Sequence, residues 1–554
     1  MHTAPAPGAP KPVWPLALAT AAVALLIAVP ALAGAPRWLD RAALLTTGGP
    51  LAPAHAVALA LALGLVARGV RLRRRAAWHG LVVLVVLGLL AVLTGDDPPW
   101  RLPPLVAALA VLRACRDRFP VRPHPERVRT AVRTSALLLA ATVAGSVAIG
   151  GVSIRSAGPD VAAGLGATGA PIDGAAWLPE VLAFIGTVGL LVLVVTLLGP
   201  DPAPPPGGTA ERRRVAALVA HPGSDTLAPF ALRRDKTYVF APGGRAAIGY
   251  RVLFGVAVAG GDPVGDPEAH PAAVRAFLDL CSRTGWRPAA LGASAASLEA
   301  WGRVRSLGFG DEVLVRPDRF TLSGRQMRNV RQAVRRTHNS GVTSEILPER
   351  DLPPELRDRL QDVAARSLGG ASERGFSMNL DELLTGHHPG AVVAIAYDEG
   401  GEPIAFQRYM TAGTGLSLDA MRRTPGGPNG VHERLIVEVV AYAAERGHPV
   451  VSLNFAAFRA LLDAADRNPA ERAGYRALHL LDPLIAVESL YLFNKKFRPD
   501  YLPRSVLFRS RTDLGRLAVA LLTLEFGRTK ASPARARGAA GETAAEPVPT
   551  FGRS

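Results

Sequence analysis

Ser417-Leu418-Asp419-Ala420-Met421-Arg422-Arg423-Thr424-Pro425-Gly426-Gly427-Pro428-Asn429-Gly430 decides how the C-terminal half of the chain folds. The apolar residues ahead of Asp419 predict a strand near 414–419, the Gly/Pro cluster predicts a turn, and the apolar spacing beyond it predicts a helix over 431–446. A buried strand, Pro449-Val450-Val451-Ser452-Leu453-Asn454-Phe455, comes next. Strand, turn, helix and strand in that order read as α/β. Just upstream, strands at 391–397 and 403–410 are joined by Asp398-Glu399-Gly400-Gly401, a hairpin signal. An antiparallel hairpin ahead of the helix argues against a doubly wound sheet.

The same turn is where chemistry could sit. Backbone N–H groups of 422–430 and a helix N-terminus together can hold an anion; the plain alternative is a strand-to-helix connection. Asp419 and Arg422 stand three apart at the strand's end. A carboxylate there suits an ammonium, and a guanidinium suits a phosphate or ribose; a surface ion pair is the other reading. Residues 323–337 place Arg325, Arg328, Arg331, Arg335 and Arg336 on one helical face of about 140°, uninterrupted by any acid. Such a stripe suggests a polyanion, either RNA backbone or anionic lipid headgroups, against the alternative of a solvated linker helix. Phe493-Asn494-Lys495-Lys496-Phe497-Arg498 sets cations beside aromatics. His338, His387, His388, His432, His448 and His479 show no metal-ligand spacing. The chain has no Walker loop, no G-x-S-x-G elbow and no H-E-x-x-H, which lowers NTPase, hydrolase and zinc-protease readings.

Working outward, a first α/β stretch covers about 215–320, with strands expected at 236–240 and 249–256 and helices at 271–284 and 295–306. Ahead of it lies Gly-Pro-Asp-Pro-Ala-Pro-Pro-Pro-Gly-Gly at 199–208, a stiff linker. Residues 1–199 hold 17 Lys/Arg and 8 Asp/Glu, separated by long apolar runs at 13–33, 51–69, 77–94, 131–151 and 178–199 and a shorter one at 102–114. A bilayer core needs about 20 apolar residues per helix, so these read as about six transmembrane spans. Arg68 to Arg75 and Arg113 to Arg133 fall in alternate connections. Basic connections stay in the cytoplasm, which places the N-terminus and everything after 199 there. The whole chain has 554 residues, net charge +17, 49% hydrophobic and 20% charged residues, and two cysteines. That excludes an ordinary soluble domain, a disordered chain and a disulfide framework.

The second α/β stretch resembles the catalytic domain of the aminoacyl-phosphatidylglycerol synthases, the multiple peptide resistance factor family. The matching segments are Gly260–Asp266, Phe309-Gly310-Asp311-Glu312, Phe320–Gly324, Glu373–Met378, Ser417–Arg422, Asn429-Gly430, Leu453–Ala456 and Phe493–Phe497, in family order over about 235–510. The likeness is greatest to the actinobacterial lysyl-phosphatidylglycerol synthases, in a form expected to lack the fused lysyl-tRNA synthetase. The resemblance implies a multi-pass α-helical membrane domain plus a cytoplasmic α/β domain of two tandem GNAT-like acyltransferase units. The expected divisions are 1–199 membrane domain, 200–210 linker, 211–322 first unit, 323–342 basic connecting helix, 343–525 catalytic unit and 526–554 disordered tail.

The implied activity is transfer of an aminoacyl group, most plainly lysyl, from aminoacyl-tRNA to the glycerol hydroxyl of phosphatidylglycerol in the plasma membrane. The product lowers the membrane's negative charge and is associated with resistance to cationic antimicrobial peptides. The ester is already activated, so no cofactor and no metal are expected. Asp419, Arg422 and Lys496 match the family's D-L-M-R and F-K-E-K-F motifs and are implied as catalytic. Glu312, Arg498, Asn429, Asn454 and Ser377 are implied around the substrate, and Arg325, Arg328, Arg331, Arg335 and Arg336 toward tRNA or lipid headgroups. Asn494 and Lys495 depart from the lysine motif. Two other readings stay open: an acyl-CoA-dependent GNAT-type enzyme using 422–430 for pyrophosphate, and a non-catalytic protein that binds anionic lipid.

Overall fold

The computed structural model describes residues 13–32, 36–47, 53–95, 98–123, 125–134, 136–137, 140, 193–369, 379–413, 415–457 and 487–526. The chain divides into two units, Met1–Gly310 with Pro503–Asp513 and Asp311–Leu502 with Leu514–Ser554. A strand from late in the sequence therefore belongs with the first unit.

In the first unit, helices α1 (Trp14–Leu32), α2 (Arg37–Thr47), α3 (Pro53–Arg71), α4 (Arg75–Thr94) and α5 (Leu102–Ala114) come first. Among the described residues, α1 and α4 are long and apolar enough to cross a membrane. α1 packs on α3 through small and branched side chains: Ala24 and Ile27 meet Ala56, Ala60 and Leu63. Alanines let two helices approach closely where lipid supplies no hydrophobic drive. α5 has 13 residues, about 20 Å of helix, short of a full span. The expected spans at 131–151 and 178–199 fall largely outside the described residues.

The α/β part of this unit follows α6 (Thr209–Val219). It comprises β1 (Thr237–Phe240), β2 (Ala246–Leu253), β3 (Val256–Gly260), β4 (Val264–Gly265), α7 (His270–Thr284), β5 (Arg287–Ser294) and the short α8 (Leu298–Trp301). β1, β2 and β3 are antiparallel neighbours, and β3 runs parallel to β5 through five registered pairs. The second half of β12 (Asp500–Phe508) adds antiparallel to β5. Two expectations are corrected here. The single strand over 249–256 is two strands, because Phe254 and Gly255 both take positive φ, 50° and 75°, and turn the chain. The helix over 295–306 ends at Trp301, where Gly302 takes φ 64°, and β6 (Arg305–Val315) begins instead.

The second unit holds residues 311–315 of β6, α9 (Arg328–Asn339), β7 (Thr343–Pro348), α10 (Pro354–Leu368), β8 (Ala391–Tyr397), β9 (Pro403–Ala412), β10 (Gly415–Arg423), α11 (Val431–Glu445), β11 (Val451–Ala457), α12 (Val487–Lys495) and α13 (Leu514–Phe526). Its sheet runs β6-β11-β10-β9-β8-β7. β7 to β10 are antiparallel, and β10 and β11 are parallel on either side of α11. α11 buries Val431, Leu435, Ile436, Val439, Val440 and Ala443 against the sheet, spacings of three and four that form one apolar stripe. α9 turns Val330, Ala333 and Thr337 inward. The opposite sheet face is covered by α10, whose Leu356, Leu360 and Val363 join Val393, Ile395 and Phe406.

Candidate active site

β9 and β10 pair without a break except at one place, where the register shifts between Leu418 and Ala420. Asp419 is the extra residue. A bulge of this kind re-aims the side chain it releases. The Asp419 carboxylate accepts from the Leu380 N–H at 2.7 Å and from Arg408 Nη1 at 2.6 Å. Arg408 sits on β9 opposite Ala420. Its Nε donates to Glu349 and its Nη1 also to the Glu382 carbonyl at 2.9 Å. Glu349 is anchored in turn by the Gly386 N–H at 2.8 Å.

The side chains of Arg408 and Glu349 are 0% exposed and that of Asp419 is 1% exposed. Two carboxylates thus face one guanidinium in a buried place. Burial alone pulls a guanidinium's pKa down; here Asp419 and then Glu349 outweigh it and hold Arg408 above its ordinary value. Removing one member of such a group strands the others' charge, at a cost of about 3–5 kcal/mol.

Beside the bulge, β10 and β11 are in register only at Leu416 with Val451 and Ser417 with Ser452. Past that point a side chain takes over from the ladder: Asn454 Nδ2 donates to the Leu418 carbonyl at 2.9 Å. Asn454 holds φ 71° to do so, and left-handed conformations in residues other than glycine collect at functional sites. Ser452 Oγ accepts from the Asn454 N–H at 3.1 Å and donates to Glu312 at 2.6 Å. Glu312 is fully buried. The predicted residues Glu312 and Asn454 are thus joined through Ser452, which the sequence reading did not single out.

The turn after β10 leads into α11. Gly430 caps the helix at φ 104°. A Cβ there would lie 2.9 Å from that of Ala333 on α9, so only glycine lets the basic helix lie against the turn. Lys496 is paired with Glu433 in the first turn of α11 at 2.8 Å. Arg422 Nη1 donates to the Met421 carbonyl at 2.7 Å; Asn429, Lys496 and Arg498 keep part of their surface open to solvent. Cations and N–H groups therefore gather where α11 begins, the positive end of its dipole. His432 is enclosed there, with Gln407 Nε2 donating to its carbonyl at 3.0 Å and standing 3.3 Å from its Nδ1. Burial, followed by Arg423, pushes this imidazole down to about 4.

Several expectations are resolved by these positions. The guanidinium beside Asp419 is that of Arg408, with Arg422 turned to the backbone. α9 starts at Arg328. Arg325 therefore lies in the preceding turn, while Arg328, Arg331, Arg335 and Arg336 are exposed along the helix. Arg331 also clasps that turn through the Leu322 and Gly324 carbonyls. Ser377 lies outside the described residues. Arg408, Glu349 and His432 were missed. The only sequence signal for Arg408 was a charge in the middle of an otherwise apolar strand.

An antiparallel hairpin followed by strand, helix and parallel strand, with a bulge and an early end to the parallel pairing, defines a GNAT-like α/β protein. Solved structures share the fold. The L-PGS of Bacillus licheniformis matches with TM-score 0.52 and 21% identity over 60% of this chain and 99% of that one. The C-terminal domain of a putative lysylphosphatidylglycerol synthetase from Agrobacterium fabrum matches with TM-score 0.50 and 24% identity over 58% of this chain and 98% of that one.

Residues 216–508 match the family described as phosphatidylglycerol lysyltransferase, C-terminal, and the chain belongs to that family. An MprF-like domain protein of Mycobacterium tuberculosis is 42% identical over 323 residues, 56% of this chain and 66% of that protein. A protein of Mycolicibacterium gilvum named lysylphosphatidylglycerol biosynthesis bifunctional protein LysX is 33% identical over 518 residues, 87% of this chain and 47% of that protein. The chain thus spans about two thirds of the first relative and under half of the second.

Proposed function

We propose that this protein transfers an aminoacyl group, lysyl in the first instance, from aminoacyl-tRNA to the glycerol hydroxyl of phosphatidylglycerol. Family membership over 216–508 supports this reaction class. The observation that carries the reading to this chain is Asp419, released from its ladder by a bulge beside the point where β10 and β11 stop pairing. With Glu349 it outnumbers the single guanidinium of Arg408, which leaves the neighbourhood negative and suited to an aminoacyl ammonium. The start of α11, with Arg422, Lys496 and Asn429, suits phosphate or the charge that develops on the ester oxygen. Both ends of the reaction are esters, so the aminoacyl bond supplies the driving force.

We further assign α9 to the tRNA backbone. Four exposed arginines on a helix fixed to the turn by Gly430 present a rigid cationic edge beside that anion site. The apolar helices of the first unit anchor the chain as a multi-pass protein of the plasma membrane, with its N-terminus and the α/β units in the cytoplasm, where charged tRNA is found. The α/β units form a GNAT-like tandem: each carries a strand, a helix and a parallel strand, β3-α7-β5 in one and β10-α11-β11 in the other.

Membranes from cells expressing the full chain, given charged tRNA and labelled lysine, should yield a labelled lipid that mass spectrometry identifies as lysyl-phosphatidylglycerol, and RNase should abolish it. Labelled lipid that forms without tRNA would defeat the mechanism.

A further inference from the structure

The first unit contains a cavity of about 920 Å³ lined by four stretches of chain, one of them Pro120-Val121. The turn between α3 and α4 contributes Arg71 and Arg73, α7 and the start of β5 contribute Arg275 and Arg287, and the segment after β12 contributes Arg509. Two acids, Asp279 and Asp513, also line it, and Asp513 is engaged by Arg287 at 3.1 Å. Five guanidinium groups against two carboxylates leave a strong positive excess.

The turn that delivers Arg73 is built rather than loose. Arg74 is buried and donates to the Gly199 carbonyl at 2.6 Å and the Gly285 carbonyl at 3.1 Å, while the Arg75 N–H donates to the Val121 carbonyl at 2.7 Å. Arg73 itself is held at φ 56°. Burial and the like charges of Arg509 and Arg118 all act to lower its pKa. Cations pressed together in this way are relieved by an anion.

Leu72 and Trp286 add apolar surface to the cavity wall, and α4 leads away from it. That helix starts two residues after Arg73 and exposes Val83, Leu87 and Leu90 at 54%, 56% and 51%. A ligand that fits has a phosphate at one end and hydrocarbon at the other. We propose that this cavity binds the phosphodiester headgroup of an anionic phospholipid from the membrane that α4 enters. The site shares no lining residue with the one around Asp419, and its assignment does not depend on the proposed transfer reaction.

The test uses the full chain in nanodiscs with a phosphatidylglycerol analogue carrying a diazirine beside its headgroup, and peptide mapping of the adducts. Adducts are expected within 71–73, 275–288 and 509–513. Arg73→Gln with Arg509→Gln should reduce them about thirtyfold, given roughly 1 kcal/mol for each of the two basic residues near an anionic surface. Arg73→Lys with Arg509→Lys should keep most of them. Excess unlabelled phosphatidylglycerol should compete and phosphatidylcholine should not. Should the first pair unfold, Arg275→Gln with Arg509→Gln, both exposed side chains, gives the same reading. Asp419→Asn should leave these adducts unchanged, which separates this site from the transfer site. Adducts indifferent to the glutamine variants would overturn the assignment. So would equal competition by inorganic phosphate, which would mean a general anion pocket, or protection of the three segments by tRNA alone, which would mean an RNA site.

Discussion

Each unit buries one arginine between two carboxylates, and the two groups sit in different backbones. In the second unit Arg408 lies between Glu349 and Asp419. In the first, Arg504 lies between Asp225 at 2.6 Å and Asp262 at 3.4 Å, its side chain 0% exposed. Asp262 there accepts from the Ser294 N–H at 3.0 Å, tying β12 to the end of β5. The parallel pair beside it, β3 and β5, keeps its register over five residues. The corresponding pair in the second unit, β10 and β11, keeps it over two. The ladder that carries Arg504 is interrupted too, its β12–β5 register shifting between Ser505 and Val506, so the two groups differ in the length of the parallel pair beside them and not in the presence of a bulge. In the second unit the bulge aims Asp419 toward the place where that parallel pair stops. Buried charge beside a bulge is common to both units; the short parallel pair is what sets the second apart.

Replacing each arginine in turn is the strongest challenge to this contrast. Arg408→Ala and Arg504→Ala should each destabilise by about 3–5 kcal/mol in denaturant unfolding, since each strands two carboxylates. The difference should appear in the folded fraction, where only Arg504→Ala retains transfer per folded molecule. Equal loss in both would erase the distinction. Asp419→Asn keeps the volume but only one of the two acceptor oxygens, and should lower transfer by about a hundredfold or more with a smaller change in stability; Asp262→Asn should do the reverse.

Acid titration sharpens the comparison further. His432 has its folded pKa depressed from 6.5 to about 4. Between those values the unfolded chain binds more protons, so stability rises with pH across that window and is lost as pH falls through it. His432→Gln should flatten the slope measured by thermal unfolding between pH 6.5 and pH 4; an unchanged slope would remove His432 as its source. The smallest expected effect is at α9. Arg335→Ala with Arg336→Ala should weaken tRNA binding severalfold and reduce the salt slope by roughly one for each phosphate no longer neutralised, with stability unaltered because both side chains are exposed.

Much of this was legible from residue order. The Gly/Pro run at 424–430 announced the turn, and the spacing after it announced α11. The turn Asp398-Glu399-Gly400-Gly401 announced the β8–β9 hairpin. Asp419 was marked by its place at a strand's end. Its partner was not, because Arg408 comes 11 residues earlier and Glu349 a further 59, and no local pattern reports a register shift. No strand was expected at 500–508, and only long-range pairing shows the second half of β12 beside β5. Short turns misled where positive φ decided the outcome, at Phe254-Gly255 and at Gly302.

The most direct test joins preformed lysyl-tRNA, phosphatidylglycerol nanodiscs and the full chain in a single-turnover reaction, comparing the native protein with Asp419→Asn. Lysyl-phosphatidylglycerol should form in step with deacylation of the tRNA, and the variant should lose at least about a hundredfold in rate. Equal rates for the two proteins, with lysyl transfer otherwise intact, would contradict the role of Asp419.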